Sequence, residues 1–230
     1  MPEGQKIIIL GVGPGHPQYL TVIGSELLWQ AQVVAGFATV LKSAEAWVKG
    51  EKLVMDYKNQ EEVLKVVASK AAEGKRCVIC AAGDSCVSAG ELIERVHRHW
   101  ENIEVIPGIS STQVAAARAG ITLEESLIVS LHQRAGVDTD IVELKSELTV
   151  GRRHLIVLPR PWELMPDTVA RKLLEGGIDS SIKVLVFQDL TLEQEKQQTF
   201  KLSELATCGQ AFSDRSILVF PKKYRPFASP

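Results

Sequence analysis

The sequence predicts an α/β protein with a mostly parallel N-terminal sheet, flanking helices and a mixed-sheet C-terminal domain. Strand-like and helix-like patterns alternate over residues 7–119, as is typical of a parallel sheet with helices on its faces. After Gly120 strand patterns become more frequent, so we expect antiparallel pairs there. A chain of 230 residues suits one large domain or two small ones. We expect an N-terminal domain at 1–119 and a C-terminal domain at 120–225.

Local patterns predict the elements of the N-terminal half. Residues 7–10 form an unbroken apolar run, which fits a strand buried on both faces of a sheet. Residues 59–62 resemble a capping box, and they open a helix that Gly74 ends. The other predicted elements are strands at 33–37, 76–82 and 103–106, a helix through Leu92, Ile93 and Val96, and an alanine-rich helix that ends at Ala119.

The C-terminal half is predicted in the same way. Pro166 opens a helix that stops at Gly176-Gly177, and a short helix lies near residues 140–148. The predicted strands are 127–131, 154–158, 183–187, 197–202 and 216–220.

Composition excludes several classes of protein. Apolar residues make up 45 % of the chain and charged residues 23 %, as in ordinary globular proteins. A net charge of -2 gives no general attraction to nucleic acid or to acidic membranes. No apolar run approaches the ~20 residues of a membrane span, and Glu3 and Lys6 interrupt any signal-peptide core. A cytoplasmic location is therefore the expectation.

The cysteines offer one candidate metal or redox site, Cys77-Val78-Ile79-Cys80. The surrounding sequence reads as a buried strand, on which residues three apart point to opposite faces. A structural zinc site also needs further Cys or His ligands at suitable spacing. We therefore expect two buried thiols and no metal, while Cys86 and Cys208 are isolated.

The loop at residues 11–17 is rich in glycine and proline and follows the first strand. Open α/β sheets bind ligands at the carboxyl ends of their strands. A dinucleotide fingerprint fails, because His16 replaces the third glycine and Pro14 lacks an N–H. A P-loop fails as well, since no Ser or Thr follows Lys75 directly. A ligand-binding loop and a rigid structural turn both remain open from these residues alone.

Four motifs together point to one family. They are the loop at 11–17 followed by Leu20 and Thr21, the tripeptide Ala82-Gly83-Asp84, the segment at 107–118, and Ser130-Leu131-His132-Gln133-Arg134. In this order they resemble the tetrapyrrole methylases, which use S-adenosylmethionine. The last motif narrows the match, and the four motifs together look like the CbiE-type subfamily, which methylates carbon 5 of precorrins in cobalamin biosynthesis. The resemblance covers essentially the whole chain.

The resemblance implies a two-domain tetrapyrrole methylase-like fold with the cofactor in the cleft between domains, a homodimer, and S-adenosylhomocysteine as product. It also implies a separate decarboxylating methyltransferase as partner. The implied cofactor contacts are Pro14, Ala82, Gly83, Asp84, Val87, Ser110, Ser111, Leu131, His132 and Leu158. The implied substrate contacts are Gly13, Pro14 and Gly15 of the first loop. Arg118 and Arg134 are candidate substrate contacts as well, because the many carboxylates of a tetrapyrrole need cationic or N–H partners. Arg152, Arg153 and Arg160 are further candidates for those carboxylates.

One position departs from the family pattern. Ser85 and Cys86 follow Asp84, where the family usually has a proline and an aromatic residue. Methyl transfer from a sulfonium requires chiefly positioning and exclusion of water, so no metal or nucleophile is predicted and the catalytic residues stay unassigned. His132 is a candidate base or an adenosine contact. The alternatives are methylation of another tetrapyrrole carbon, a protein substrate as in diphthine synthase, or a non-catalytic nucleoside-binding domain.

Overall fold

The computed structural model describes residues 5–132 and 137–222. These residues form ten strands and nine α-helices. The chain divides into two compact units, Met1–Ser111 (unit 1) and Thr112–Pro230 (unit 2). The assignment of separate functions to residues 1–119 and 120–225 stays a prediction.

Unit 1 contains a five-stranded sheet in the order β3-β2-β4-β1-β5, and every neighbouring pair is parallel. The strands are β1 (Ile7–Gly11), β2 (Val33–Phe37), β3 (Glu51–Met55), β4 (Cys77–Ala81) and β5 (Ile103–Ile106). The helices are α1 (Val22–Gln30), α2 (Ala38–Ala44), α3 (Gln60–Ala72), α4 (Ser85–Ser88) and α5 (Gly90–His97). Helix α6 (Ser111–Ala119) begins where the two units divide. The predicted parallel sheet is confirmed.

The sheet of unit 1 is buried on both faces by two separate apolar clusters. Ile7 and Ile9 of β1 belong to one cluster, and Leu10 belongs to the other. Cys77 and Cys80 of β4 are divided in the same way, and each is only 1 % exposed. The prediction of a buried strand with its thiols on opposite faces is confirmed.

Short polar contacts set the ends of the helices in unit 1. The hydroxyl of Thr21 accepts a hydrogen bond from Gly24 N at 3.1 Å and caps α1. Helix α3 begins after Asn59, as predicted, but the predicted capping box is wrong. The Asn59 carboxamide oxygen accepts instead from Asp56 N at 2.7 Å, so it closes the preceding turn. Gly74 follows the helix with φ +84°, as a C-terminal glycine does.

Unit 2 contains a mixed sheet in the order β6-β7-β10-β8-β9. The strands are β6 (Ser126–Ser130), β7 (His154–Leu158), β8 (Lys183–Gln188), β9 (Lys196–Lys201) and β10 (Ser216–Phe220). Only the β6–β7 pair is parallel, and the other three pairs are antiparallel. The predicted mixed C-terminal sheet is confirmed, with β10 at its centre.

Three further helices accompany this sheet, namely α7 (Val137–Val150), α8 (Pro166–Glu175) and α9 (Leu202–Thr207). Pro166 is the first residue of α8, where its missing N–H costs nothing. Val169 and Leu173 of α8 are fully buried in the core of unit 2. Helix α7 is longer than the predicted 140–148. Within residues 5–132 and 137–222, every helix is too short or too polar to cross a bilayer.

Candidate functional site

Three loops of unit 1 meet at the carboxyl ends of β4, β1 and β5, which are neighbours in the sheet. The backbones of Gly13 and Gly83 form an antiparallel bridge. Gly83 N donates to Gly13 O at 2.8 Å, and Gly13 N donates to Gly83 O at 3.0 Å. The first and second sequence motifs are therefore in direct backbone contact.

The third motif joins this contact through Gly108. A Cβ at Gly108 would lie 2.4 Å from Gly83 O and 2.5 Å from Gly11 O, and a Cβ at Gly11 would lie 2.7 Å from Gly108 N. Only glycine permits so close an approach of three backbones. We call Gly11, Gly13, Gly83 and Gly108 the glycine junction. Gly13 is also held at φ +88°, and a Cβ there would meet Tyr19 O at 2.8 Å.

Asp84 connects the junction to helix α4. Its Oδ1 accepts from Cys86 N at 2.9 Å and lies 3.5 Å from Gly108 N. The carboxylate thus caps α4 and contacts the third motif. Ser85 occupies the position where the family resemblance expects proline, and its buried hydroxyl has no hydrogen-bond partner among the described residues. Asp84 is extended (φ -110°, ψ 124°), a backbone that a following proline also favours.

The other predicted residues of unit 1 surround this junction to different degrees. Ala82 is exposed, Ser110 is buried at 2 % exposure, and Ser111 and Val87 are half-buried. A Cβ at Gly83 would lie 3.8 Å from Ser111 N. The second and third motifs therefore adjoin, and Pro14 and Gly15 continue from Gly13 as a half-buried loop.

These groups fit the amino-acid end of S-adenosylmethionine. That end carries an ammonium and a carboxylate, which need acceptors and donors at short range. Around the junction lie the Asp84 carboxylate, the hydroxyls of Ser110 and Ser111, and backbone amides and carbonyls of the three loops. The cofactor role of each of these residues stays a prediction.

In unit 2, the parallel strands β6 and β7 end together. Leu131 N donates to Leu158 O at 2.9 Å, and these two side chains are 0 % and 5 % exposed. His132 follows, with an exposed side chain on the loop. Partial desolvation lowers the pKa of His132, although a hydrogen bond to the Pro159 backbone acts in the opposite direction. A neutral imidazole at neutral pH suits an adenosine contact. It also leaves the base role of His132 open.

The predicted substrate arginines differ in their surroundings. The guanidinium of Arg118 is paired with Glu195 at 2.8 Å, and Glu195 also accepts from Thr191 N at 2.7 Å. Arg134 lies outside the described residues. Arg153 donates to Glu124 O at 3.0 Å, and Arg160 is 3.2 Å from Glu163. The roles of Arg118 and Arg134 in substrate binding stay predictions.

The thiols of β4 are unsuited to metal or redox chemistry. Burial raises the pKa of Cys77 to about 11 and that of Cys80 to about 12, so both are protonated at neutral pH. Over residues 5–132 and 137–222, no group of three or more His, Cys, Asp or Glu side chains could hold a metal ion.

Two features of the candidate site residues and their loops could not be foreseen from the sequence. One is the pairing of Asp84 with Gly108 N, which belongs to a residue 24 positions away. The other is Trp162, a 70 % exposed side chain in the loop after β7. The backbone of Trp162 has a positive φ, and no sequence pattern predicts this conformation for a tryptophan.

The family of tetrapyrrole (corrin/porphyrin) methylases matches residues 6–206. A probable cobalt-precorrin-7 C(5)-methyltransferase of Methanocaldococcus jannaschii is 30 % identical over 202 residues, covering 87 % of this chain and 91 % of that protein. A cobalt-precorrin-4 C(11)-methyltransferase of the same organism is 26 % identical over 213 residues, covering 90 % and 82 %.

Solved structures share the fold. The precorrin-6Y methylase of Archaeoglobus fulgidus superimposes with a TM-score of 0.69 at 22 % identity, covering 96 % of this chain and all of that one (100 %). A uroporphyrin-III C-methyltransferase of Thermus thermophilus, complexed with S-adenosylhomocysteine, gives 0.71 at 22 % identity, covering 94 % and 92 %. The motifs, the fold and the family match agree: this chain belongs to the tetrapyrrole methylase family.

Proposed function

We propose that this protein transfers a methyl group from S-adenosylmethionine to carbon 5 of a precorrin or cobalt-precorrin in cobalamin biosynthesis. The observation that carries the proposal is the 30 % identity, over most of both chains, to the cobalt-precorrin-7 C(5)-methyltransferase of Methanocaldococcus jannaschii. The convergence of the first three motifs at the glycine junction supports it.

The chain's own residues would act by binding and positioning. S-adenosylmethionine supplies a methyl group that its sulfonium already activates for displacement. The glycine junction and Asp84 would hold the methionine part, and Leu131, His132 and Leu158 would flank the adenosine. Apolar side chains such as Leu131 exclude water, which favours transfer to carbon over side reactions. Arg118 and Arg134 would neutralise carboxylates of the substrate.

Two alternatives rest on specific relatives. The similarity to a cobalt-precorrin-4 C(11)-methyltransferase supports methylation of a different carbon. A diphthine synthase shares the fold with a TM-score of 0.68 at 17 % identity, so the fold also accommodates a protein substrate. A non-catalytic nucleoside-binding domain is the third alternative, because Ser85 and Cys86 depart from the family's second motif.

The assembly and setting are part of the same proposal. We infer a homodimer, a cytoplasmic location and a separate decarboxylating methyltransferase as partner, all on the resemblance to the family. Sedimentation of the purified protein measures its oligomeric state and so tests the inferred homodimer. A monomer with full activity would contradict the inferred homodimer without touching the chemistry.

A methylation assay tests the reaction. Purified protein is incubated with S-adenosylmethionine labelled in its methyl group and with a panel of precorrins and cobalt-precorrins, and the methylated carbon is identified by NMR. We expect label at carbon 5 of one substrate. Label at carbon 11, or on a protein, would select the corresponding alternative, and S-adenosylhomocysteine binding without transfer would select the non-catalytic domain.

Asp84→Asn tests the cofactor site separately. The asparagine keeps an Oδ1 acceptor for Cys86 N, so α4 retains its cap, while the negative charge beside the cofactor's ammonium is lost. We expect S-adenosylhomocysteine to bind about tenfold more weakly, or ~1.4 kcal/mol, in calorimetry. The control is Asp56→Asn, because Asp56 Oδ1 accepts from Lys58 N and Asn59 N in a similar turn. Equal affinity in both variants would remove Asp84 from the cofactor site.

A further inference from the structure

Trp162 projects from the tight loop that follows β7. Its side chain is 70 % exposed, which is unusual for the largest apolar residue type. Its backbone has φ +64°, in the left-handed region that bulky residues avoid. With most of its side chain exposed and its backbone strained, Trp162 adds little to the packing of the core of unit 2.

The loop fixes this conformation by contacts on either side of Trp162. Leu164 N donates to Arg160 O at 2.9 Å, and the two residues form a β-bridge that closes the turn. Arg160 Nη1 also lies 3.2 Å from Glu163 Oε2. The turn therefore presents the indole outward at the expense of backbone strain.

Two other non-glycine residues among those described have a positive φ, and their circumstances differ. Asp189, at φ +50°, is a residue type that tolerates this region, and its carboxylate accepts from Ser213 and Arg215. Thr191, at φ +71°, donates its N–H to the Glu195 carboxylate. Trp162 differs from both in being a bulky residue type, and most of its side chain is exposed to solvent. Strain of this kind is concentrated at ligand sites in proteins.

The position of the turn in the sheet also indicates a ligand-binding role for Trp162. It follows directly after Leu158 and Pro159, and Leu131 N bonds to Leu158 O while His132 bonds to the Pro159 backbone. Trp162 thus lies on one of the two loops at the carboxyl end of the parallel pair β6–β7. Ligands of α/β sheets bind at that end.

We propose that Trp162 is a specificity-determining contact that stacks on a conjugated face of the tetrapyrrole. This inference rests on the proposed function. The macrocycle suits Trp162 because a side chain that is 70 % exposed offers a large face to a flat, conjugated partner. Arg160 at the base of the turn is paired with Glu163, whose side chain is 63 % exposed, and a substrate carboxylate can replace it.

The test compares Trp162→Gly with Trp29→Gln in the full-length protein. Glycine relieves the strain of the turn, so a folding defect cannot mimic the loss of the indole. Trp29 is a matched control, an exposed tryptophan (58 %) on α1 of unit 1 that is outside the predicted site. The measurements are steady-state kinetics with cobalt-precorrin-7, calorimetry with S-adenosylhomocysteine, thermal unfolding, and quenching of intrinsic fluorescence by uroporphyrin III.

For Trp162→Gly we expect the KM for the tetrapyrrole to rise about tenfold, the magnitude of one aromatic stacking contact. The affinity for S-adenosylhomocysteine should not change, and the melting temperature should be equal or higher. Trp29→Gln should match the wild type in KM and in affinity for S-adenosylhomocysteine, while its melting temperature should fall slightly because Lys49 Nζ lies 4.6 Å from the centre of the Trp29 ring. An unchanged KM overturns the inference, and so does weaker S-adenosylhomocysteine binding with an unchanged KM, which would make Trp162 a cofactor contact.

The porphyrin measurement separates this inference from the proposed function. If the wild type methylates no precorrin but binds uroporphyrin III, and Trp162→Gly weakens that binding, the proposed reaction fails and the stacking contact stands. If both proteins bind the porphyrin equally, the contact fails whatever the reaction is. A wild type that binds no tetrapyrrole overturns both.

Discussion

The two units hold their strand-end loops together by different means. In unit 1, the loops after β4, β1 and β5 meet backbone to backbone at Gly11, Gly83 and Gly108. In unit 2, the loop after β8 is held by side chains. Arg215 Nη2 lies 2.7 Å from the Asp189 carboxylate, and the Arg118–Glu195 pair spans 2.8 Å.

This difference affects how well each set of contacts can be recognised in the sequence and how its stability depends on pH. A backbone junction accepts one residue type at each position, so it leaves a motif that can be read from the chain. A side-chain junction joins residues far apart in sequence and depends on their ionisation. Unit 1's junction should therefore fail on a single added methyl group, and unit 2's should weaken in acid.

The largest expected effect is that of Gly108→Ala. The added Cβ would lie 2.4 Å from Gly83 O and 2.5 Å from Gly11 O, where no flexible side chain can move aside. We expect the free energy of unfolding by urea to fall by about 3 kcal/mol. The control is Gly90→Ala, where a Cβ meets nothing within 4 Å. Equal free energies of unfolding for the two variants would show that the loops after β1, β4 and β5 can move apart to accept a Cβ with little loss of stability.

A smaller effect is expected for Glu195→Gln in unit 2. Arg118 is 43 % exposed, so solvent screens the pair and its loss should cost about 0.5–1 kcal/mol at pH 7. The hydrogen bond from Arg118 lowers the pKa of Glu195 below its unfolded value. The pair's contribution is therefore full above the unfolded pKa and is lost as pH falls through the folded one.

The measurement is urea unfolding of wild type and Glu195→Gln from pH 7 down to about pH 3, spanning the ordinary glutamate pKa of about 4.3. The stability difference should shrink in acid. Glu193→Gln is the control, because Glu193 is an exposed carboxylate of the same loop. A difference that persists at the lowest pH would mean that the Glu195 side chain acts through packing rather than charge.

An effect of the opposite sign concerns Ser85, at the edge of the glycine junction. Its hydroxyl is buried without a hydrogen-bond partner among the described residues. Ser85→Ala removes that unpaired group, so it should stabilise the protein by about 1 kcal/mol. Thermal unfolding measures the change against Ser88→Ala, which alters an exposed serine of the same helix. Destabilisation by Ser85→Ala would indicate that an ordered water satisfies the hydroxyl.

Strand positions were predictable where apolar runs mark buried strands. β2, β5, β7 and β10 have the predicted bounds, because each is a short run in which apolar residues predominate. β3 was missed. It is an edge strand with exposed Glu51, Lys52 and Val54, so burial does not impose a pattern on it.

The candidate site was predictable in part, because some of its positions restrict the residue type as strongly as burial does in the strands. Gly13 and Gly108 stand in motifs because an added Cβ would collide with backbone atoms, and Gly83 does so because its φ of +65° favours glycine. The partner of Arg118 could not be predicted, since Glu195 lies 77 residues further along the chain and any acidic residue there would look alike. The Asn59 capping box failed because Asn59 and Asp56 bond to each other: each side-chain oxygen accepts from the other's backbone N–H.

The central place of β10 also bears on the order of folding. All five strands of unit 1 lie before residue 107, so its sheet can assemble while the rest of the chain is still being synthesised. In the sheet of unit 2, β7 and β8 are joined through β10, which is the last strand among the residues that the structure describes. A nascent chain that has not reached Ser216 holds two separate strand pairs with open edges. During that interval unit 2 is the part exposed to misfolding and aggregation.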